Sequence, residues 1–314
     1  MDVEAVAKLD GNLLVLGAAG KMGPSLVQRA RRAVDLAGNR LRVIAVARSA
    51  DPGDPDSLAA DLTDRKQVHA LPDAEHVIFM AGRKFGSTGN EPLTWAVNAW
   101  APGLVADRFA DSKIVALSTG NVYALVKVDS GGATEETVPA PVGEYAQSAL
   151  ARERIFQYFS NTRGTRVAIL RLNYAIDLRY GVLLDIGQKL FERRPIDLTM
   201  GHVNVIWQGD ANSICLRSFA QAASPARVLN ITGAQTLSVR WIAERFGALF
   251  GVQPLFEGEA AENALLSDAS ICHRLMGPPS VDIDDMIAMV AQWIGRGGRT
   301  YNKPTHFETR DGGF

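Results

Sequence analysis

The run Leu13-Leu14-Val15-Leu16-Gly17-Ala18-Ala19-Gly20-Lys21-Met22-Gly23 organises everything that follows it. Its apolar beginning reads as a strand buried on both faces, and it ends in glycines spaced three apart before Pro24-Ser25-Leu26-Val27-Gln28 starts a helical pattern. A strand, a tight turn and a helix N-terminus in that order bring backbone close to a pyrophosphate, whose charge the helix's first N–H groups and dipole favour. The stretch predicts a dinucleotide-binding turn made of Gly17, Ala19, Gly20, Lys21, Met22 and Gly23. Three glycines alone specify little; the strand before them and the helix after them give them meaning.

The second apolar strand, Leu41-Arg42-Val43-Ile44-Ala45-Val46-Ala47, ends in Arg48-Ser49, not in the carboxylate that would accept from an unphosphorylated ribose. A guanidinium clamps a 2′-phosphate and a carboxylate repels it, so Arg48 predicts NADP in preference to NAD. Asp61-Leu62-Thr63 follows a loop rich in proline and aspartate, and His76-Val77-Ile78-Phe79-Met80-Ala81-Gly82 is another buried strand. Lys84 comes just after it, at the edge where open parallel sheets hold ligands. A helix over 92–110 carries Trp95, Val97, Trp100 and Leu104, with Asn98 among them. Next, Lys113-Ile114-Val115-Ala116-Leu117-Ser118-Thr119-Gly120-Asn121-Val122-Tyr123 runs from strand into a hydroxyl-rich turn. A long helix follows from Glu144-Tyr145-Ala146-Gln147-Ser148-Ala149, and Val167-Ala168-Ile169-Leu170-Arg171-Leu172-Asn173 adds one more strand. This alternation predicts an α/β fold with a doubly wound parallel sheet of Rossmann type.

Beyond residue 173 the pattern loosens into helical runs mixed with short extended pieces, as in a smaller mixed substrate lobe. The expected organisation is a dinucleotide-binding domain over 1–172, a substrate lobe over 173–294 and a polar, glycine-rich tail over 295–314. That tail is either disordered or folded back over a neighbouring site. A formal net charge of −1 with no basic stripe argues against nucleic acid or a membrane surface as the main partner. The first eleven residues lack the pattern of a secretory signal and no apolar run spans a bilayer, which predicts a cytoplasmic protein. Cys215 and Cys272 sit in apolar helical patterns as buried thiols, and the five histidines lack the spacing of a metal site, so no metal is predicted.

With these residues in view, the chain resembles the extended short-chain dehydrogenase/reductase family, which includes nucleotide-sugar epimerases and dehydratases. The likeness runs over about residues 12–294. It rests on Gly17, Gly20 and Gly23, on Asp61-Leu62, on the turn from Ser118 to Tyr123, on Tyr145 and Ser148 opening a helix that contains Glu153, and on Arg171-Leu172-Asn173. Arg194-Pro195-Ile196 and Gly209-Asp210-Ala211 add to it. The resemblance implies a cofactor across Gly17 to Gly23 and against Ala81 and Gly82, with Asp61 and Leu62 beside its adenine. It implies Thr119 as the group bonding the reacting oxygen, Tyr145 as phenolic acid/base beside the cofactor, and Asn121 and Asn173 toward the substrate. It also implies a homodimer through the helices near 92–110 and 145–159.

One position departs from the family. Its catalytic tyrosine is followed four residues later by a lysine that binds the nicotinamide ribose and lowers the phenol's pKa; here that residue is Ala149. An undepressed phenol, with a pKa of about 10, is ionised in only about one molecule in a thousand at neutral pH. A lost charge-assisted bond to the ribose costs roughly 1.5–3 kcal/mol of cofactor binding. Reduction needs the phenol and oxidation the phenolate, so the loss weighs on oxidation first. Arg152 is the candidate substitute, because a helical side chain three residues further on leans back over the vacated turn. Lys84 is the second. Arg171, Arg179, Arg193, Arg194 and His202 are the second-half cations suited to a phosphate or carboxylate.

The sequence therefore predicts an NADP(H)-dependent oxidoreductase of a sugar-like or sugar-acid carbonyl or hydroxyl, with Thr119, Tyr145 and Arg152 catalytic and Lys84, Asn121, Asn173 and Arg179 toward the substrate. The alternatives are an epimerase, dehydratase or lyase that retains its nicotinamide cofactor on a sugar or nucleotide-sugar, and a non-catalytic NADP-binding protein.

Overall fold

In the computed structural model, which describes residues 1–313, the apolar runs become a seven-stranded sheet whose neighbouring strands are all parallel. Its strands are β1 (Asn12–Leu16), β2 (Arg42–Ala47), β3 (Ser57–Ala59), β4 (His76–Phe79), β5 (Lys113–Thr119), β6 (Arg166–Leu172) and β7 (Arg227–Ile231), in the order β7-β6-β5-β4-β1-β2-β3. The chain steps outward in both directions from β1 and β4, and a crevice for ligands opens at their carboxyl ends. Leu13, Leu14, Val15 and Leu16 are wholly buried. Helices cover both faces of such a sheet, which is why its central strands are apolar without alternation.

One face carries α1 (Asp2–Val6), α2 (Gly23–Ala37) and α8 (Gln208–Arg217), whose apolar residues share a core with Leu13 and Val15. The other carries α3 (Arg65–His69), α5 (Ala101–Arg108) and α6 (Gly143–Arg163), packed through Val68, Leu104 and Phe156. The helix expected over 92–110 is α4 (Glu91–Trp95), a π-helical turn Ala96–Trp100 and α5 in succession. Pro102 lacks the N–H that would bond the Asn98 carbonyl, so the chain widens there and the Ala101 N–H reaches Ala96 instead.

A separate core joins α7 (Val182–Phe191), α9 (Val239–Phe250) and α11 (Ile283–Gly295) through Ile186, Phe246 and Val290. The chain does not divide in space as it does in order. β7 and α8 both lie past residue 172, yet β7 pairs with β6 and α8 packs on α2. The short α10 (Ser270–Met276) sends Cys272 and Met276 into the same core. Cys215 and Cys272 are both buried free thiols, and burial raises the thiol pKa of each, to about 12 and about 11.

The described part of the tail folds back. Thr305 and Phe307 are buried, and the Thr305 N–H and hydroxyl both donate to Asp185 Oδ2 at 2.7 and 2.5 Å. Lys189 pairs with Glu308, and Arg310 donates to the carbonyls of Thr199 and Asn263. Gly312 reaches the start of α6, where a Cβ on Gly143 would stand 2.4 Å from its carbonyl oxygen. Phe314, the last residue of the expected tail, lies outside the described residues.

Candidate active site

The glycine turn sits flush on the end of β4. Gly17 has φ +91°, and a Cβ there would stand 2.7 Å from the Ala81 backbone. At Gly23 it would meet the Ala18 carbonyl oxygen at 2.1 Å, so the first turn of α2 presses directly on the loop. Ala81 is thereby brought beside Gly17. Ala19 and Gly20 are exposed and Met22 is half-buried. Arg48 is exposed at the carboxyl end of β2, and Leu62 is buried beyond it. Asp61 Oδ1 accepts from the Thr63 N–H and hydroxyl, which fixes the turn that leads into α3.

β5 and α6 deliver the reactive pair. Asn121 donates to Thr119 Oγ1 from its backbone N–H and from Nδ2, at 3.2 and 3.0 Å. The Thr119 side chain is also hydrogen-bonded to the Tyr145 phenol. Burial raises the Tyr145 pKa, while the Thr119 bond and the Arg152 charge pull it down; burial prevails, so the phenol is protonated at neutral pH. Ala149, where the family resemblance led to the expectation of a lysine, is buried in a small apolar cluster with Val122, Tyr123 and Ala133.

Arg152 is 6% exposed and lies beneath this pair. Its Nη1 donates to the Leu117 carbonyl and its Nη2 to Asn98 Oδ1, while Nε is buried with no acceptor among the described residues. A Cβ on Gly82 would stand 2.9 Å from Nη2, so only glycine lets the strand end approach the guanidinium so closely. Asn98 is the hub that sequence reasoning named without a role. It also accepts from the Arg83 N–H and donates to the Arg83 carbonyl and to Ser148 Oγ. The available signal was Pro102 four residues on, which opens the helix at this carbonyl.

The substrate-side expectations scatter. Asn173 is buried and donates to Asn204 Oδ1 and the Leu265 carbonyl, stitching β6 to the second half. Arg179 is ion-paired with Asp177 and stands over the Tyr301 ring. Arg171 is locked to Glu153 and Arg194 to Glu192. The cations that do converge are Lys21 and Lys84. Lys21 Nζ lies 4.0 Å from the Phe85 ring centroid and 3.2 Å from that of Tyr180. Lys84 Nζ lies 5.7 Å from the Phe85 centroid and 5.9 Å from that of Tyr145, and donates to the Thr305 carbonyl.

A nicotinamide dinucleotide suits this edge: the turn leads straight into the first turn of α2, and the orphaned Arg152 Nε is a buried donor under Gly82. Among the described residues no group of three or more His, Cys, Asp or Glu gathers to hold a metal, and no helix is long and apolar enough to cross a membrane.

No curated protein matches the chain. Three solved structures show the same fold. MoeE5 in complex with UDP-glucose and NAD is 20% identical, with 91% of this chain and 99% of that one covered at a TM-score of 0.74. UDP-glucose 4-epimerase with UDP-glucose, from Thermotoga maritima, is 16% identical, with 91% and 99% covered at 0.76. A short-chain dehydrogenase/reductase superfamily protein from Agrobacterium tumefaciens with bound NAD is 16% identical, with 91% and 98% covered at 0.77. The sequence itself matches the family model of the NAD dependent epimerase/dehydratase family over residues 13–175, from β1 through the glycine turn, Thr119 and Tyr145 to the end of β6. The chain belongs to that family, whose members are enzymes working with a nicotinamide cofactor.

Proposed function

We propose that the protein is an epimerase- or dehydratase-type enzyme on a sugar-like substrate, one that keeps its nicotinamide cofactor bound and restores it within each turnover. The observation that carries this reading is the Thr119–Tyr145 hydrogen bond held by Asn121 at the carboxyl end of β5. A protein that only bound dinucleotide has no need of an oriented hydroxyl and phenol. The family match supports it, as do similar folds solved with NAD and with UDP-glucose. The site-residue assignments belong to this proposal.

Gly17 to Gly23, with Ala81 and Gly82 behind them, would hold the cofactor, which would supply reversible hydride transfer. The protein's own residues manage the proton. Thr119 orients the substrate oxygen, and Tyr145 takes its proton when the carbon is oxidised and returns it when the carbon is reduced. Taking the proton needs a phenolate that burial disfavours. Arg152 opposes that penalty through its charge, which stands in for the family's lysine without reaching the reacting atoms. Arg48 at the end of β2 supports NADP, and a net NADP(H)-dependent reductase is the second reading. The exposed Trp100 and Tyr158 line a groove along α5 and α6, which supports a homodimer through that face.

The test is to release and identify any dinucleotide that co-purifies, then follow a panel of sugars and nucleotide-sugars by NMR together with cofactor absorbance. Isomerised or dehydrated product without net cofactor change is expected, and Tyr145→Phe should lower turnover by about 10²–10⁴-fold. Stoichiometric oxidation of NADPH, weakened by Arg48→Ala, would establish the reductase instead. No dinucleotide binding at all would overturn both.

A further inference from the structure

The carboxyl edge of the sheet is crossed by chain that a dinucleotide fold does not require. Residues 301–312 run over it, held first by the second lobe. The Tyr301 N–H donates to the Arg179 carbonyl, and Thr305 is fixed to Asp185 on α7 by its backbone and hydroxyl bonds. Phe307, 2% exposed, enters the core that joins α7, α9 and α11. Glu308 then pairs with Lys189, and Arg310 reaches the carbonyls of Thr199 and Asn263.

The same residues meet the first lobe along its carboxyl edge. In the loop after β4, Lys84 donates to the Thr305 carbonyl at 3.3 Å, and the Phe85 ring lies 6.3 Å from that of His306. Just past β6, the Tyr174 hydroxyl donates to the Phe307 carbonyl at 3.4 Å. At the start of α6, shortly before Tyr145, Gly143 and Gly312 face each other with φ +82° and +75°, and a Cβ on Gly312 would stand 2.3 Å from the Val142 carbonyl oxygen. Glycine at both positions is what lets the two backbones come so near. His306 is also left-handed, at φ +52°, a conformation costly for a residue with a side chain and kept only where the surroundings enforce it. The path of the segment is thus set by buried anchors in its middle and by close backbone contact at its end.

A dinucleotide on the glycine turn lies over β1 and β4, on one side of Thr119 and Tyr145, which leaves the β6 side and the second lobe for the substrate. On that side the segment ties one wall to the other. We infer that residues 301–312 form a strap across the substrate-side mouth of the site and restrict the substrate to a compact one, a single unlinked sugar or sugar acid in place of a sugar carrying a nucleoside diphosphate. This rests on the proposed function and narrows its substrate class. A long substituent would have to leave the reacting carbon through an open cleft between the lobes, and here chain anchored in a buried core bridges that cleft.

An access reporter tests the strap without a known substrate. Asn121→Cys places a thiol next to Thr119, while the native Cys215 and Cys272 are buried. Gly312→Val drives the end of the strap off Val142 and leaves the Phe307 anchor in place; Gly312→Ala is the milder form should valine impair folding, which circular dichroism checks. With the strap intact, methyl methanethiosulfonate should label position 121 readily, and fluorescein maleimide should label it about tenfold or more slowly than once Gly312 is replaced. In the sugar panel, the parent should convert unlinked sugars and leave UDP-glucose unchanged. Fluorescein labelling equally fast with and without the Gly312 substitution, or conversion of UDP-glucose by the parent, overturns the inference. Failure of the proposed function reads differently, as absence of dinucleotide binding with the labelling contrast still present.

Discussion

Beneath the carboxyl edge of the sheet, Glu153 and Arg171 are almost wholly buried, and every charge there has an answer. Arg171 Nε and Nη2 reach the Glu153 carboxylate at 3.0 and 2.6 Å, Ser118 Oγ donates to it at 2.5 Å, and Arg171 Nη1 donates to the Tyr123 hydroxyl. That hydroxyl donates onward to Asn230 Oδ1 on β7. At the glycine turn and in the loop after β4, Lys21 stands against aromatic rings and Lys84 donates to a backbone carbonyl, and burial lowers the pKa of both. Both regions take charge out of water. The first is closed upon itself and ties α6 to β5, β6 and β7; the second sets cations from separate segments against aromatic rings. Buried charge that is paired inside the fold holds the scaffold.

Breaking the first region should have the largest effect. Glu153→Ala leaves Arg171 buried without its counter-charge and should destabilise the protein by about 3–5 kcal/mol, read as a lower denaturant midpoint. Breaking the second should do the reverse. Lys21→Met removes a cation that burial disfavours, so the variant should be more stable than the parent below pH 7. The sign follows from the lowered pKa: the folded lysine carries its full penalty below about 7, and sheds it as pH rises toward its unfolded value near 10.5. The advantage of Lys21→Met should therefore shrink between pH 7 and 10, in unfolding curves taken at pH 6, 8 and 9.5. A constant advantage would mean that the effect is packing, not charge.

A third substitution sharpens the comparison at Arg152, which belongs to neither class because two of its donors are used and one is not. Arg152→Met should move the alkaline limb of the pH–rate profile upward, since the phenol loses the charge that favours its ionisation, and Arg152→Lys should restore part of the shift. An unmoved profile would make Arg152 a purely structural tie to Leu117 and Asn98. The smallest effect is expected at the tail. Thr305→Val removes the hydroxyl bond to Asp185 and keeps the backbone bond, at about 1 kcal/mol of stability. It should also loosen the wall beside Lys84, seen as faster acetylation of Lys84.

Strands β1, β2, β4, β5 and β6 and the glycine turn were legible because each depends on residues within a few positions of one another, whereas Thr119 and Tyr145 were named only through the family resemblance. Apolar runs must be buried, φ +91° at residue 17 demands glycine, and a tyrosine three residues before Ser148 falls on the face of α6 that meets β5. What the sequence could not decide was which distant charges meet. Residues 21, 84, 180, 185 and 303 come from four separate segments, and second-half arginines that looked equally suited to an anion pair instead with Asp177, Glu153 and Glu192. Nor could local pattern place the tail, because its buried contacts are those of Thr305 and Phe307 inside an otherwise polar stretch. Local periodicity sets backbone and burial; the pairing of charges is settled by packing between elements far apart in the chain, and only the tertiary structure holds that information.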